Sequence, residues 1–197
     1  MKIIIATQNP HKIEEIKEIA NLFGYKNFEF LPIDKSLNFD PIEDGESFEE
    51  NSLIKAKEAN RLTGEYTLAD DSGLCVEALN GAPGIHSARY ADTPQARIDK
   101  LLDALKFVEN RNAKFVCAMT LINPKGEIEF STKGECLGEI AKTQFVINGF
   151  VYDPVFKVKN TNKTMAEMSD DEKNKISHRS LALQKVLAHL DDIYISQ

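Results

Sequence analysis

Ile3, Ile4, Ile5 and Ala6 form an unbroken apolar run that stops at the polar Thr7-Gln8-Asn9-Pro10. A short apolar run closed by turn residues predicts a buried strand. Past the turn the period changes: Ile13, Ile16, Ile19, Ala20 and Phe23 fall on one face of a helix that Gly24 ends. Residues 28–33 predict a second strand, and Ser47-Phe48-Glu49-Glu50 has the Ser-x-x-Glu form of a capping box, opening a helix that runs to Gly64. Residues 66–69 predict a strand leading into Asp70-Asp71-Ser72-Gly73. Thr93-Pro94 caps a helix carrying Ile98, Leu101, Leu102, Leu105 and Val108. Residues 113–122 and 127–132 flank Asn123-Pro124-Lys125-Gly126 and predict a hairpin. Near the end, Ser169-Asp170-Asp171-Glu172 opens a short helix, and Ser177 starts another whose Leu183, Val186, Leu187 and Leu190 face inward. Strands alternating with helices, plus one hairpin, predict an α/β fold. Its sheet is mixed and twisted, flanked by helices, and split into two lobes around a cleft within a single domain of residues 1–197.

Composition narrows this picture. With 197 residues, 42% of them hydrophobic and 28% charged, the chain can bury a sizeable core. A net charge of -7 argues against a general nucleic-acid binder, which needs a basic face, so a phosphate ligand must be met by a local basic cluster. Cys75, Cys117 and Cys136 lack a Cys-x-x-Cys pair and read as buried, reduced thiols. The apolar run at the N-terminus is much too short for a signal segment, and no stretch has the length to span a membrane. The expected location is the cytoplasm, with neither membrane nor nucleic acid as partner.

The chemistry concentrates at Asp70-Asp71. Successive strand side chains point to opposite faces, so both aspartates serve one site only if the strand ends at them, and Ser72-Gly73 predicts that break. Alone, Asp-Asp-Ser-Gly is a solvated turn. However, Glu43, Asp70 and Asp71 are accompanied by Lys12, Lys55, Lys173, His178 and Arg179 at predicted element boundaries. Such a set suits a magnesium-bound polyphosphate, because Mg2+ is held by one or two carboxylates together with phosphates and water, whereas zinc asks for closely spaced His or Cys. Taken singly, each lysine reads as a solvated charge and Glu43 as a plain loop acid. The loop at residues 149–156, with Phe150, Tyr152 and Asp153, can stack a flat base or equally plug the core. His178 and Arg179 follow Ser177 in the first turn of a helix, where cations oppose the dipole, and a bound anion or acceptor-rich ligand would compensate.

Assembled in order, these segments resemble the ITP-type family of non-standard purine nucleoside triphosphate pyrophosphatases, the dITP/XTP pyrophosphatases, over almost the whole chain. The resemblance rests on Thr7-Gln8-Asn9-Pro10-His11-Lys12, on Glu43-Asp44-Gly45 with Phe48-Glu49-Glu50-Asn51 and Lys55, and on Ala69-Asp70-Asp71-Ser72-Gly73-Leu74. It continues through Gly81-Ala82-Pro83-Gly84, Ser87-Ala88-Arg89-Tyr90, residues 149–156 and Ile176-Ser177-His178-Arg179. It implies cleavage between the α and β phosphates, a nucleotide-binding cleft, a Mg2+ requirement and a homodimer. By motif position Glu43 and Asp71 would hold the metal and Asp71 would act as general base, with Asp70 and Lys12 beside it. Thr7, Asn9, Lys12 and Lys55 would hold the substrate's phosphates, and Ser72 would also bind the substrate. Phe150 would stack the base, Asp153, Lys173, His178 and Arg179 would bind the nucleotide and read its base, and Tyr152 would also bind the substrate. Asn148 and Val151 stand where the family usually has glycines, and a β-branched Val151 resists a left-handed backbone. The alternatives are a Maf-like nucleotide pyrophosphatase acting on pyrimidine or modified nucleotides, against which the Ser-His-Arg and Asp-Asp-Ser-Gly segments speak, and a nucleotide-binding module without catalysis. The intact set of Lys12, Glu43 and Asp71 argues against the second. Ser72 lacks the Gly-x-Ser-x-Gly elbow of a serine hydrolase.

Overall fold

The computed structural model describes residues 1–145 and 150–195. Asn148 and Gly149 lie outside the described residues. The elements in chain order are β1 (Lys2–Ile5), α1 (Pro10–Leu22), β2 (Glu29–Pro32), α2 (Phe48–Thr63), β3 (Thr67–Val76) and α3 (Pro94–Ala104). They continue with β4 (Asn112–Ile122), β5 (Ile128–Ile140), β6 (Phe156–Val158), α4 (Asp170–Ile176) and α5 (His178–Ile195). The six strands form one sheet in the order β2-β1-β3-β4-β5-β6. It is mixed, as expected: β1 pairs in parallel with both β2 and β3, whereas β5 and β6 are antiparallel.

The chain divides into two compact units. The first comprises residues 1–71, 117–134 and 178–197. Its main core packs Ile3 and Ile5 of β1 with Ile16 and Ile19 of α1, and with Leu183, Val186, Leu187 and Leu190 of α5. These are the inward positions that the periodicity predicts. A second cluster sets Ile4, Ala6 and Ala69 against Ala56 and Ala59 of α2. Burying alternate faces of β1 and β3 in this way explains their nearly continuous apolar runs. The second unit, residues 72–116 and 135–177, has its own core of Leu74, Ile98, Leu101, Phe115 and Phe156.

Several boundaries come from local chemistry. The Asn9 side chain accepts from the His11 N–H at the start of α1, where Pro10 occupies the first turn. Ser47 accepts from the Glu50 N–H, and Gly64 closes α2 at φ 67°. The Glu50 carboxylate, however, accepts from Glu46 N–H at 2.6 Å, one residue before the capping-box partner. Phe23, expected on the apolar face of α1, is its C-cap and 37% exposed. Val108 packs on the second core from beyond the end of α3. Cys117 and Cys136 are buried free thiols, but Cys75, expected to be buried, is half-buried. Among the described residues no helix is long and apolar enough to cross a membrane.

One expectation fails. β3 does not break at Ser72-Gly73; it continues to Val76, with Gly73 and Leu74 buried. Pairing and burial hold Ser and Gly extended where local propensity alone favours a turn. The two aspartates therefore alternate, each with its own set of cations.

Candidate active site

β1 ends at Ile5, and its pairing with β3 reaches Leu68. Asp70 and Asp71 follow on β3 just past that point, and Asp70 meets Lys12 in the first turns of α1. The carboxyl ends of parallel strands are where open α/β sheets place their ligands.

Asp70 is a locked carboxylate. Lys12 of α1 donates to both its oxygens, at 3.1 and 2.9 Å, and the Arg179 guanidinium of α5 donates to Oδ2 at 3.1 Å. Glu15, one turn beyond Lys12, accepts from Arg179 at 2.6 Å. The Cys117 thiol of β4 lies 4.0 Å from the same carboxylate. Burial works to raise the Asp70 pKa, but Lys12, Arg179 and Lys55 outweigh it and hold the carboxyl far below the usual range. Burial and the adjacent Asp70 charge push the Cys117 thiol up, so it stays protonated.

Asp71 belongs to a different set. Lys55 of α2 places its ammonium 2.8 Å from Asp71 Oδ1 and 2.9 Å from Glu43 Oε2. Burial raises the Asp71 pKa against the pull of Lys55, whose single charge is shared with Asp70 and Glu43. Those carboxylates in turn raise the Lys55 pKa despite its own burial, so it stays an ammonium. Glu43 is brought in by a loop clamped to the start of α2, where Gly45 N–H donates to Asn51 Oδ1 at 2.9 Å. Any Cβ at Gly45 would collide with Glu50 and Asn51, so this close approach requires glycine.

The structure thus gathers Lys12, Glu43, Lys55, Asp70, Asp71 and Arg179 within the first unit. His178 is buried beside Arg179 at the start of α5. The compensation expected from a ligand at this helix start is supplied for Arg179 by two carboxylates of the protein, Asp70 and Glu15. Ser177, extended at φ -65° and ψ 153°, separates α4 from α5. Thr7 accepts from the Asn9 N–H at 3.2 Å, so Thr7 and Asn9 both shape the turn into α1. Glu15 escapes a reading of the sequence. Glu15 carries one signal, an acid three residues after Lys12 and therefore on the same helix face.

The remaining expected residues lie in the second unit. Asp153 is buried and paired with Lys173 at 2.7 Å. Phe150 is 43% exposed. Tyr152 is buried in the core, and its hydroxyl donates to the Ser87 carbonyl at 3.0 Å. Ser72 is half-buried. Val151 packs against the same core and is not among the positive-φ residues, so its β-branch brings no backbone strain.

A family model described as the Ham1 family matches residues 3–189. The chain belongs to the Ham1 family. A dITP/XTP pyrophosphatase of Bacillus licheniformis is 44% identical over 195 residues, covering 96% of this chain and 98% of that protein. One of Synechocystis sp. is 42% identical over 185 residues, covering 94% and 93%. The solved Ham1 protein of Staphylococcus aureus superposes with a TM-score of 0.87 at 40% identity, over 98% of this chain and 99% of the other. The Ham1 protein of Coxiella burnetii gives 0.88 at 39% identity, with the same coverage. The Ham1 fold therefore extends over nearly the whole of this chain.

The donor set fits a hard divalent cation. Glu43 and Asp71 reach one ammonium from two elements, with oxygen donors alone. Among the described residues no cluster of three or more His, Cys, Asp or Glu offers a closed metal cage. Two carboxylates that leave the other positions to phosphate and water are what Mg2+ uses.

Proposed function

We propose that this Ham1 chain hydrolyses non-standard purine nucleoside triphosphates, dITP, ITP and XTP, to the nucleoside monophosphate and pyrophosphate with Mg2+. The observation that carries the reading is the pairing of a locked carboxylate, Asp70, with an adjacent one, Asp71, whose pKa is raised and which shares one lysine with Glu43. Three cations, Lys12, Lys55 and Arg179, stand against four carboxylates, Glu15, Glu43, Asp70 and Asp71. That balance repels a polyphosphate, and a divalent cation reverses its sign.

Asp71 takes the proton of a water as that water adds at phosphorus, and the bridging bond between the α and β phosphates breaks to release pyrophosphate. Lys12 and Lys55 position the phosphates and offset charge on the leaving group, with Thr7 and Asn9 at the positive end of α1. Mg2+ held by Glu43 and Asp71 would neutralise phosphate charge and acidify a bound water. Phe150 stacks the base. Donors from the Arg179 and Lys173 segments meet the 6-keto oxygen of hypoxanthine or xanthine, and adenine's amino group leaves one donor unmet, at a cost of roughly 1 to 3 kcal/mol. In the same reading the enzyme is a cytoplasmic homodimer acting on small molecules.

Chromatography of products from ITP, XTP, dITP, ATP, GTP and dTTP, each with Mg2+ and with chelator, tests the proposal. Metal-dependent monophosphate and pyrophosphate from the first three are expected. Diphosphate and orthophosphate, or a preference for dTTP, would sink it.

A further inference from the structure

Lys55 has no ordinary surface role. Its side chain is 9% exposed, it comes from the interior of α2, and its ammonium bridges the two carboxylates best suited to a divalent cation. A nitrogen 2.9 Å from Glu43 and 2.8 Å from Asp71 stands where a cation bonding both carboxylates would stand. Metal and ammonium cannot both keep these contacts. If a metal displaced Lys55 in the free protein, a buried ammonium would lose two of its partners, and burying a charge without partners is strongly unfavourable. The Asp70 carboxylate offers little relief, because Lys12 and Arg179 already share its oxygens. Polyphosphate oxygens would supply a new partner.

We infer that Lys55 is a place-holder for the divalent cation, which makes metal binding conditional on the arrival of a polyphosphate that takes the lysine over. The inference rests on the proposed function for the identity of the polyphosphate, but not for the competition at Glu43 and Asp71. Free protein binds the metal weakly, and the metal arrives with the nucleotide. The lysine then passes from holding the carboxylates to touching the transferring phosphates, which makes it a catalytic residue and not merely a surface anchor.

The test is equilibrium dialysis against Mn2+ with no nucleotide present, comparing the wild-type chain with Lys55→Met and Lys55→Gln. Both variants should bind Mn2+ at least tenfold more tightly, about 1.4 kcal/mol. Adding Glu43→Gln to either should abolish the gain, which places the bound ion at this pair. Equal affinity for wild type and both variants overturns the inference, as does a gain that survives Glu43→Gln. If neither variant folds, the wild type decides: Mn2+ bound as tightly by the free protein as in the presence of a dITP analogue with a methylene between its α and β phosphorus also overturns it. Because the Lys55 comparison contains no nucleotide, a gain there alongside the wrong cleavage products would fault the proposed function and leave the place-holder standing.

Discussion

Replacing Asp70 and Asp71 by asparagine should have different consequences, although the residues are neighbours on β3. Asp70 is the fully buried partner of Lys12 and Arg179, so Asp70→Asn leaves two cations facing a neutral amide and should cost about 3 to 5 kcal/mol of stability. The folded-state pKa of Asp70 is depressed, so its contribution is fully present above the ordinary aspartate value of 3.8 and is lost as pH falls through the lower folded value. The stability gap between wild type and Asp70→Asn, followed by urea unfolding, should be constant from neutral pH down to about pH 5 and shrink in stronger acid. For Asp71 the pKa is raised instead. Burial opposes its ionised form and Lys55 keeps Glu43 as a partner, so Asp71→Asn should cost much less stability than Asp70→Asn while its turnover collapses. A stable, fully active Asp71→Asn would remove the general base from the mechanism.

At the scale of elements, the approach of β5 to α5 decides where Arg179 stands. A Cβ on Gly134 would overlap the His178 carbonyl oxygen and the Ala182 nitrogen, both backbone atoms of the first turns of α5. Gly134→Ala must therefore push that helix start away, at a cost of about 1 to 3 kcal/mol for overpacking. It should also lower turnover, because the displaced Arg179 no longer meets Asp70 and Glu15. Thermal melting with an activity assay checks both, and a variant that melts normally with full activity would show the contact to be slack. Gly134 illustrates why part of the site escapes a reading of the sequence, since nothing around it signals that a helix some 44 positions later will press against it. The β1–α1 unit is legible because its apolar periods, its Asn9 cap and its Pro10 are all local. The course of β3 is not, because Ser72-Gly73 reads locally as a turn and is overruled by pairing and burial supplied from distant parts of the chain. Likewise Glu15 looks like one more helix-surface acid until Arg179 is folded onto it.

Over the whole molecule, the chain passes between its two units after Asp71, Val116, Gly134 and Ser177. Every segment of the first unit thus begins or ends at a residue placed near the candidate site: Asp71, Cys117, Gly134 and His178. The residues proposed for water activation and metal binding belong to the first unit, while Phe150, Asp153 and Lys173 belong to the second. This division predicts separable kinetics. Phe150 is 43% exposed, so truncating it to alanine sacrifices little core packing, and lost stacking should weaken nucleotide binding by about 1 to 3 kcal/mol. Phe150→Ala should therefore raise KM for dITP and leave kcat near wild type, whereas Asp71→Asn should lower kcat for every nucleotide that is cleaved. Steady-state kinetics with dITP and ATP would distinguish them. An unchanged KM in Phe150→Ala would make the ring a surface residue, and a fall in kcat without a change in KM would mean that the second unit takes part in the chemical step and that the two duties are not divided as the units are.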